Sequence, residues 1–298
     1  MYQNFEKVLE HIRTKADKKR IAIAAAHDLE VLECASMAKK ENIATFILIG
    51  KKEKITSILS SVGEDPSCWD IIDEPSDSRA AEIAVSMASE KKADAIMKGQ
   101  LHTSVFLRAI FSKEYNLVPP KALVSQVTVA EYPAQHRLVL ITDCAVNVNP
   151  TYADKVSIIN NAVSLAQKLG MECPRVACLA PVEVVNEKMQ ETIDAAMLSK
   201  ANERKQIKNC IIDGPLAMDN AISPDAAKCK GIDSPVAGQA DILLMPNLCT
   251  GNAIDKALRY FADLKTGSAV IGASVPIVMT SRSDSALNKL HAIALSVL

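Results

Sequence analysis

The sequence is poor in the features that mark metal, redox and membrane proteins. Its eight cysteines form no Cys-x-x-Cys pair and its five histidines no His-x-x-x-His pair, so the spacings typical of zinc sites are missing. No apolar run approaches the roughly 20 residues that a membrane-spanning helix needs. The N-terminal segment lacks the apolar core of a signal peptide. These absences predict free thiols, no metal, no membrane partner and a cytoplasmic protein.

The chain also has no excess of either charge: it has 34 basic and 35 acidic residues, and its net charge is −1. Proteins that bind nucleic acid carry a basic surplus, so no nucleic-acid partner is expected. None of the ten glycines forms the dinucleotide fingerprint Gly-x-Gly-x-x-Gly, and no Gly-x-Ser-x-Gly nucleophile elbow occurs. What remains is a chain of 298 residues, 49% hydrophobic, long enough to bury a substantial core.

Short β-rich runs alternate with helical patterns along almost the whole chain. The strand-like runs are 21–25, 44–49, 69–73, 94–97, 123–129, 138–142, 175–179, 209–213, 241–245, 269–271 and 277–280. This alternation predicts an α/β protein with mostly parallel sheets. The rhythm breaks between 123 and 142, where two strand-like runs follow each other without a helix. An antiparallel pair or a domain crossover is expected there.

Polar residues collect where the predicted strands end, which is where parallel α/β proteins bind ligands near helix N-termini. The five places are Lys98-Gly99 with Thr103, Asp143 with Asn147, Asp213-Gly214-Pro215 with Asp219, Gly251-Asn252, and Ser281-Arg282 with Asp284. Taken singly, each is explained equally well or better by a turn or a helix cap. Together, and without a metal motif, they indicate one large anionic ligand.

The last of these places has the residue types that suit a phosphate group. A hydroxyl at Ser281 would lie near a helix N-terminus, and Arg282 adds a planar, permanent cation. The alternative is a helix capped by Ser281 or Ser283, with a solvated arginine. This segment alone does not decide between the two.

Taken in order, the motifs resemble the phosphate acetyl/butyryl transferase family, and most closely its phosphate butyryltransferase branch. The resemblance runs from about residue 94 to the C-terminus. Its carriers are MKGQLHTSVFLRAI (97–110), LVLITDCAVNVNP (138–150), VVNEKMQETIDAAMLSK (184–200), QIKNCIIDGPLAMDNAIS (206–223), KGIDSPVAGQADILLMPN (230–247), TGN (250–252) and PIVMTSRSDS (276–285).

The resemblance implies reversible acyl transfer, in which acyl-CoA and orthophosphate give acyl phosphate and CoA. CoA is then a substrate, and no permanently bound cofactor is expected. The implied fold is isocitrate/isopropylmalate dehydrogenase-like, with two α/β domains around a cleft, usually forming a homodimer through the second domain. The expected domains are 1–136 plus 282–298, and 137–281.

The resemblance also implies roles for single residues. Ser281 would donate to the oxyanion or acyl phosphate and Arg282 would bind phosphate, while the other strand-end residues would line the substrate site. The family often has an acid seven residues after the serine, proposed as the base for the CoA thiol; here that position is Asn288. Either Asp284 takes this role or no residue does.

A second departure is Asn247, where the family usually has an aspartate. The two amides, Asn247 and Asn288, motivate an alternative: a non-catalytic protein that binds CoA or acyl-CoA on the same scaffold. A metal-dependent hydroxyacid dehydrogenase of the same fold is a third possibility, but its cluster of metal-binding aspartates is not apparent in the sequence.

Overall fold

The computed structural model describes residues 1–281 and 284–298, and the chain divides into two compact units. The terminal unit contains Phe5–Ala122 and Gly267–Leu298, so it is built from both ends of the chain. The central unit contains Met1–Asn4 and Leu123–Thr266.

Within the described residues the chain forms eleven strands and eleven α-helices. The strands are β1 (Arg20–Ala24), β2 (Thr45–Gly50), β3 (Asp70–Asp73), β4 (Ala95–Lys98), β5 (Ser125–Tyr132), β6 (Arg137–Thr142), β7 (Arg175–Leu179), β8 (Ile211–Leu216), β9 (Ile242–Leu244), β10 (Thr266–Ile271) and β11 (Ile277–Val278). The helices are α1 (Phe5–Thr14), α2 (Leu29–Lys40), α3 (Lys52–Ser61), α4 (Asp77–Ser89), α5 (Thr103–Ile110), α6 (Tyr152–Lys168), α7 (Gln190–Glu203), α8 (Met218–Ile222), α9 (Pro224–Cys229), α10 (Leu248–Tyr260) and α11 (Ala286–Val297).

The terminal unit has a mostly parallel sheet in the order β3-β2-β1-β4-β11-β10, in which only β10 runs antiparallel to its neighbour β11. Strands β1, β2 and β4 are buried almost throughout, as parallel strands covered by helices are. Helix α11 is buried from Lys289 to Val297, after a first turn that is more exposed. The amphipathic α1 lies nearby, and its Phe5 ring stacks on the His291 ring with centroids 3.9 Å apart.

The central unit has the order β5-β6-β9-β7-β8. Strands β6, β9, β7 and β8 run parallel, and β5 pairs antiparallel with β6. Its core includes apolar side chains of β6, β7 and β9 together with residues of α8, α9 and the segment before β9.

The predicted α/β class with mostly parallel sheets is confirmed, and so is the antiparallel pair between 123 and 142. The predicted boundary after residue 136 falls in the short turn between β5 and β6, whose hydrogen bonds keep both strands in one compact unit. The other compact-unit boundary follows Thr266, not residue 281. As a division into independently folding domains, the sequence-based boundaries stay a prediction.

The structure also describes the cysteines and the apolar character of the helices. All eight cysteines are free, four of them buried and four exposed. In the described part of the chain, no helix combines the length and apolar character needed to cross a membrane.

Candidate functional site

Three loops of the terminal unit meet at the carboxyl edge of its sheet. Strand β4 pairs in parallel with both β1 and β11, so these three strands end on the same side. The loop after β1 leads to Asp28, the N-cap of α2. Strand β4 ends at Lys98, and the chain after β11 leads to Ser281.

Together these loops form a small concave surface, here called the strand-end depression. It is lined by Asp28, Glu30, Val31, Lys98, Gly99, Gln100, Thr280, Ser281 and Lys289. Of the residues selected from the sequence, the structure therefore brings together Lys98, Gly99 and Ser281. Thr103 begins α5 and is exposed, and it is not among the lining residues.

The loop after β4 is held tightly against the loop after β1. Gly99 donates its N–H to the Ala24 carbonyl at 2.8 Å. A Cβ at Gly99 would lie 2.3 Å from the Ala25 carbonyl oxygen, a distance that no side chain tolerates. Glycine is required here so that two backbone segments can approach. The half-buried Lys98 folds over this loop, and its Nζ donates to the carbonyls of Gly99 and Leu101, both at 3.2 Å.

Ser281 is fixed by Asp284. The Ser281 N–H donates to Asp284 Oδ2 at 2.8 Å, and the Asp284 N–H donates back to the Ser281 carbonyl at 3.1 Å. The Asp284 carboxylate thus closes a turn that begins at Ser281. Arg282, with its predicted phosphate-binding role, and Ser283 lie outside the described residues.

The helix that follows is capped differently from the sequence-based expectation. The N-cap of α11 is Ser285, whose hydroxyl accepts the Asn288 N–H at 3.2 Å, so Ser281 is not the cap. The capping hydroxyl is therefore that of Ser285. Asn288 is half-buried in the first turn of α11 and directly precedes Lys289.

Sequence reasoning missed Lys289, Glu30 and Asp28. Lys289 looks like an ordinary surface lysine in sequence, but its side chain is only 6% exposed and its Nζ pairs with the Glu30 carboxylate. Asp28 accepts the Val31 N–H at 3.2 Å as the cap of α2. The available signal was Asp28 directly before an apolar helical pattern, which predicts a cap; nothing in sequence indicated the ion pair.

In the central unit, Asp143 follows β6 and is 3% exposed. Its carboxylate accepts five N–H donors. They are the backbone N–H groups of Gln126, Ala145, Val146 and Asn147, at 2.9–3.2 Å, and the Asn147 side-chain amide. The carboxylate oxygens therefore shape their own loop and tie it to β5. Asn147 also donates to the Val124 carbonyl at 2.9 Å, so both residues join the ends of β5 and β6.

The start of α10 packs directly on this loop. A Cβ at Gly251 would lie 2.1 Å from the Asp143 carbonyl oxygen, and the Asn252 amide donates to the Cys144 carbonyl at 3.3 Å. The structure thus brings Asp143, Asn147, Gly251 and Asn252 together. Gly251 was selected because glycine admits a ligand, but here the close neighbour is protein backbone.

The loop around Asp213 is the remaining predicted place. Asp213 Oδ1 accepts the Gly214 N–H at 2.8 Å, and the Gly214–Pro215 peptide bond is cis. The exposed Asp219 pairs with Lys230 at 3.1 Å. The pKa of Asp219 is lowered, first by the Asn220 backbone N–H and then by Lys230. In the described ranges, no group of three His, Cys, Asp or Glu side chains is arranged to hold a metal ion.

The chain matches the family described as phosphate acetyl/butaryl transferase over residues 4–84 and 72–297. It is 44% identical to the phosphate butyryltransferase of Clostridium acetobutylicum over 298 residues, which cover 100% of this chain and 98% of that protein. It is 41% identical to the phosphate acetyltransferase of Thermotoga maritima, with 98% of each chain covered. Among solved structures, a branched-chain phosphotransacylase from Enterococcus faecalis V583 superimposes with a TM-score of 0.84 at 32% identity, covering 93% of this chain and 97% of that chain.

Proposed function

The chain belongs to the phosphate acetyl/butaryl transferase family, and on that premise we propose how its residues carry out the family's reaction. The protein is a phosphate acyltransferase of the butyryl and acetyl class. It moves a short acyl group reversibly between CoA and orthophosphate. Acyl-CoA and phosphate are its substrates.

The proposal rests on one observation, the strand-end depression of the terminal unit. Lys98 and Ser281 line it together, beside the N-terminus of α2. Free N–H groups and the helix dipole favour an anion at such a position, and a lysine adds a point charge suited to phosphate. We assign the phosphate group of the substrate to this depression, with Arg282 as a second cation on the strength of the family resemblance.

The chemistry assigns a role to the Ser281 hydroxyl. In the forward direction a phosphate oxygen attacks the thioester carbonyl, a tetrahedral oxyanion forms, and CoA leaves as the thiolate, which then takes up a proton. A hydroxyl that donates to the oxyanion stabilises it more than the ground-state carbonyl, and such donors contribute about 10²–10³-fold in rate. Holding both substrates in place supplies a further part of the acceleration.

Asp284 is a positioning residue for Ser281 and, with Asn288 unable to accept a proton, the nearest candidate for the base that exchanges a proton with the thiol. Its carboxylate accepts the Ser281 N–H through Oδ2, which fixes the turn that begins at Ser281. In this proposal Asn288 contacts substrate through its amide.

The other sequence-selected residues stay predictions as substrate contacts. They are Thr103, Asp143, Asn147, Asp213, Gly214, Pro215, Asp219, Gly251 and Asn252. The finer fold type, isocitrate/isopropylmalate dehydrogenase-like, is supported by an α/β unit built from both chain ends. A homodimer, a cytoplasmic location and the absence of a permanently bound cofactor complete the proposal.

An acyl-CoA chain-length series tests the function. Purified protein is mixed with phosphate and acetyl-, propionyl-, butyryl-, isobutyryl- or hexanoyl-CoA, and released thiol is measured with a chromogenic disulfide. We expect phosphate-dependent thiol release with at least one short acyl group. Release that does not require phosphate would indicate a hydrolase. Tight CoA binding by calorimetry without any turnover, unrestored by Asn288→Asp, would support the non-catalytic alternative.

A further inference from the structure

The buried lysine of the strand-end depression has a partner that faces water. The Lys289 side chain is 6% exposed, whereas the Glu30 side chain that pairs with it is 58% exposed. A buried ammonium group needs a counter-charge, since leaving it unpaired is strongly unfavourable. Here the counter-charge comes from an exposed glutamate side chain that lines the strand-end depression.

A second buried lysine in the same protein shows what a permanent pair looks like. Lys155 of α6 pairs with Asp194 of α7 at 2.6 Å, and their side chains are 6% and 8% exposed. Asp194 also accepts the Gln190 amide at 2.8 Å. Burial and a second hydrogen bond hold that carboxylate in place, so the Lys155 pair joins two helices. Glu30 is far more exposed than Asp194 and therefore costs less to move.

The Lys289–Glu30 pair also differs from the Lys155–Asp194 pair in where it lies. Both Lys289 and Glu30 line the strand-end depression together with Lys98 and Ser281. Glu30 also lies in the first turn of α2, where the helix dipole favours negative charge. A carboxylate thus occupies the kind of position in which a phosphate oxygen would be stabilised.

We propose that Lys289 is a further phosphate-binding residue, and that Glu30 holds its ammonium group until the substrate anion displaces the Glu30 carboxylate. The inference rests on the proposed function for the identity of the anion. When phosphate enters, it repels Glu30 into solvent and pairs with Lys289 and Lys98. Glu30 therefore competes with substrate, and it keeps the buried ammonium group of Lys289 paired and oriented while the site is empty.

The test compares phosphate binding in the whole protein for wild type, Glu30→Gln and Lys289→Met. The probe is inorganic phosphate, and the readouts are the phosphate-dependent rise in Tm at constant ionic strength and the KM for phosphate in the thiol-release assay. Glu30→Gln removes the competitor, so we expect the phosphate Kd to fall several-fold. It also leaves Lys289 unpaired, so the Tm without phosphate falls and phosphate recovers it.

Lys289→Met should raise the phosphate Kd by about tenfold, the loss of one charge-assisted contact. The decisive measurement is the double variant. If Lys289 is the group that Glu30 and phosphate share, the gain from Glu30→Gln disappears when Lys289 is methionine. An equal gain in both backgrounds would mean that Glu30 acts by general repulsion alone, and it would overturn the proposal.

Two further arms keep the test falsifiable. Glu203→Gln makes the same chemical change in an exposed pair with Lys200, 2.6 Å apart, and should alter neither readout. If Lys289→Met does not fold, Lys289→Arg keeps the charge and should retain phosphate binding within a few-fold. An unchanged phosphate-dependent Tm rise in Glu30→Gln would contradict the proposal. Because that readout needs no turnover, a lack of thiol release in wild type would count against the function and not against this inference.

Discussion

The loop after β6 and the loops around Ser281 contain similar residues at similar places but use them in opposite ways. Asp143 follows a buried parallel strand, as Lys98 does, and has amide and hydroxyl neighbours. Its carboxylate accepts five N–H donors, four from its own loop and one from Gln126 of β5. At the strand-end depression, the side chains of Lys98, Ser281 and Lys289 line a surface open to a ligand.

The difference follows from how each side chain forms its hydrogen bonds. A carboxylate next to a tight turn is surrounded by backbone N–H groups, which it accepts because buried donors need partners. Lys98 also bonds to backbone, since its Nζ donates to the Gly99 and Leu101 carbonyls, but its side chain lines a concave surface. Polar residues at strand ends are therefore better candidates for binding where their side chains line a concave surface than where backbone N–H groups enclose them.

The largest effect expected from this comparison is on stability, in Asp143→Ala. Removing the carboxylate leaves several buried N–H groups without an acceptor, at about 1–3 kcal/mol each. We expect the free energy of unfolding in urea to fall by about 3–5 kcal/mol, some loop donors being rescued by water. Asp219→Ala removes an exposed carboxylate paired with Lys230; it is the control and should change the free energy of unfolding far less. A loss at Asp143 no larger than that of the control would show that the loop does not depend on it.

Ser281→Ala should have the complementary result, a loss of rate without a loss of stability. The hydroxyl is not the cap of α11, so Tm should stay within a degree or two of wild type. We expect kcat for thiol release to fall about 10²–10³-fold, as for other oxyanion donors. Ser76→Ala removes a hydroxyl that caps α4 and should leave kcat unchanged. A variant at Ser281 with wild-type kcat would remove this residue from the mechanism.

Arg282→Ala should raise the KM for phosphate by about tenfold or more, since a hydrogen bond to a charged group contributes roughly 1.5–3 kcal/mol. Little change in Tm is expected. Phosphate saturation curves at fixed acyl-CoA measure the effect. Arg79→Ala, which removes an exposed arginine paired with Glu82, is the matched control. If Arg282→Ala instead lowered stability strongly and left the phosphate KM unchanged, the arginine would be structural.

Local patterns predicted the fold better than the site. All eleven strands of the described residues lie within a few residues of the sequence-based runs, because most of them are apolar runs bounded by turn residues. That Lys98, Gly99 and Ser281 lie together could also be predicted from the sequence, since strand ends of a parallel sheet share an edge. The role of Lys289 could not be predicted, because its burial and its pairing with Glu30 depend on how α11 docks against α2. Such contacts between distant segments leave no local pattern.

The smallest expected effect concerns Asn247, where the family usually has an aspartate. Asn247 is the N-cap of α10, and its Oδ1 accepts the Thr250 N–H at 3.0 Å and hydroxyl at 3.1 Å. Asn247→Ala should therefore cost about 1 kcal/mol. Asn247→Asp should be neutral or slightly stabilising, because aspartate caps equally well and its charge suits a helix N-terminus. Urea unfolding measures both, and kcat should be unchanged in Asn247→Asp. A several-fold rise in kcat would break the comparison, since it would show a polar residue of the central unit contributing to catalysis and not only to its own loop.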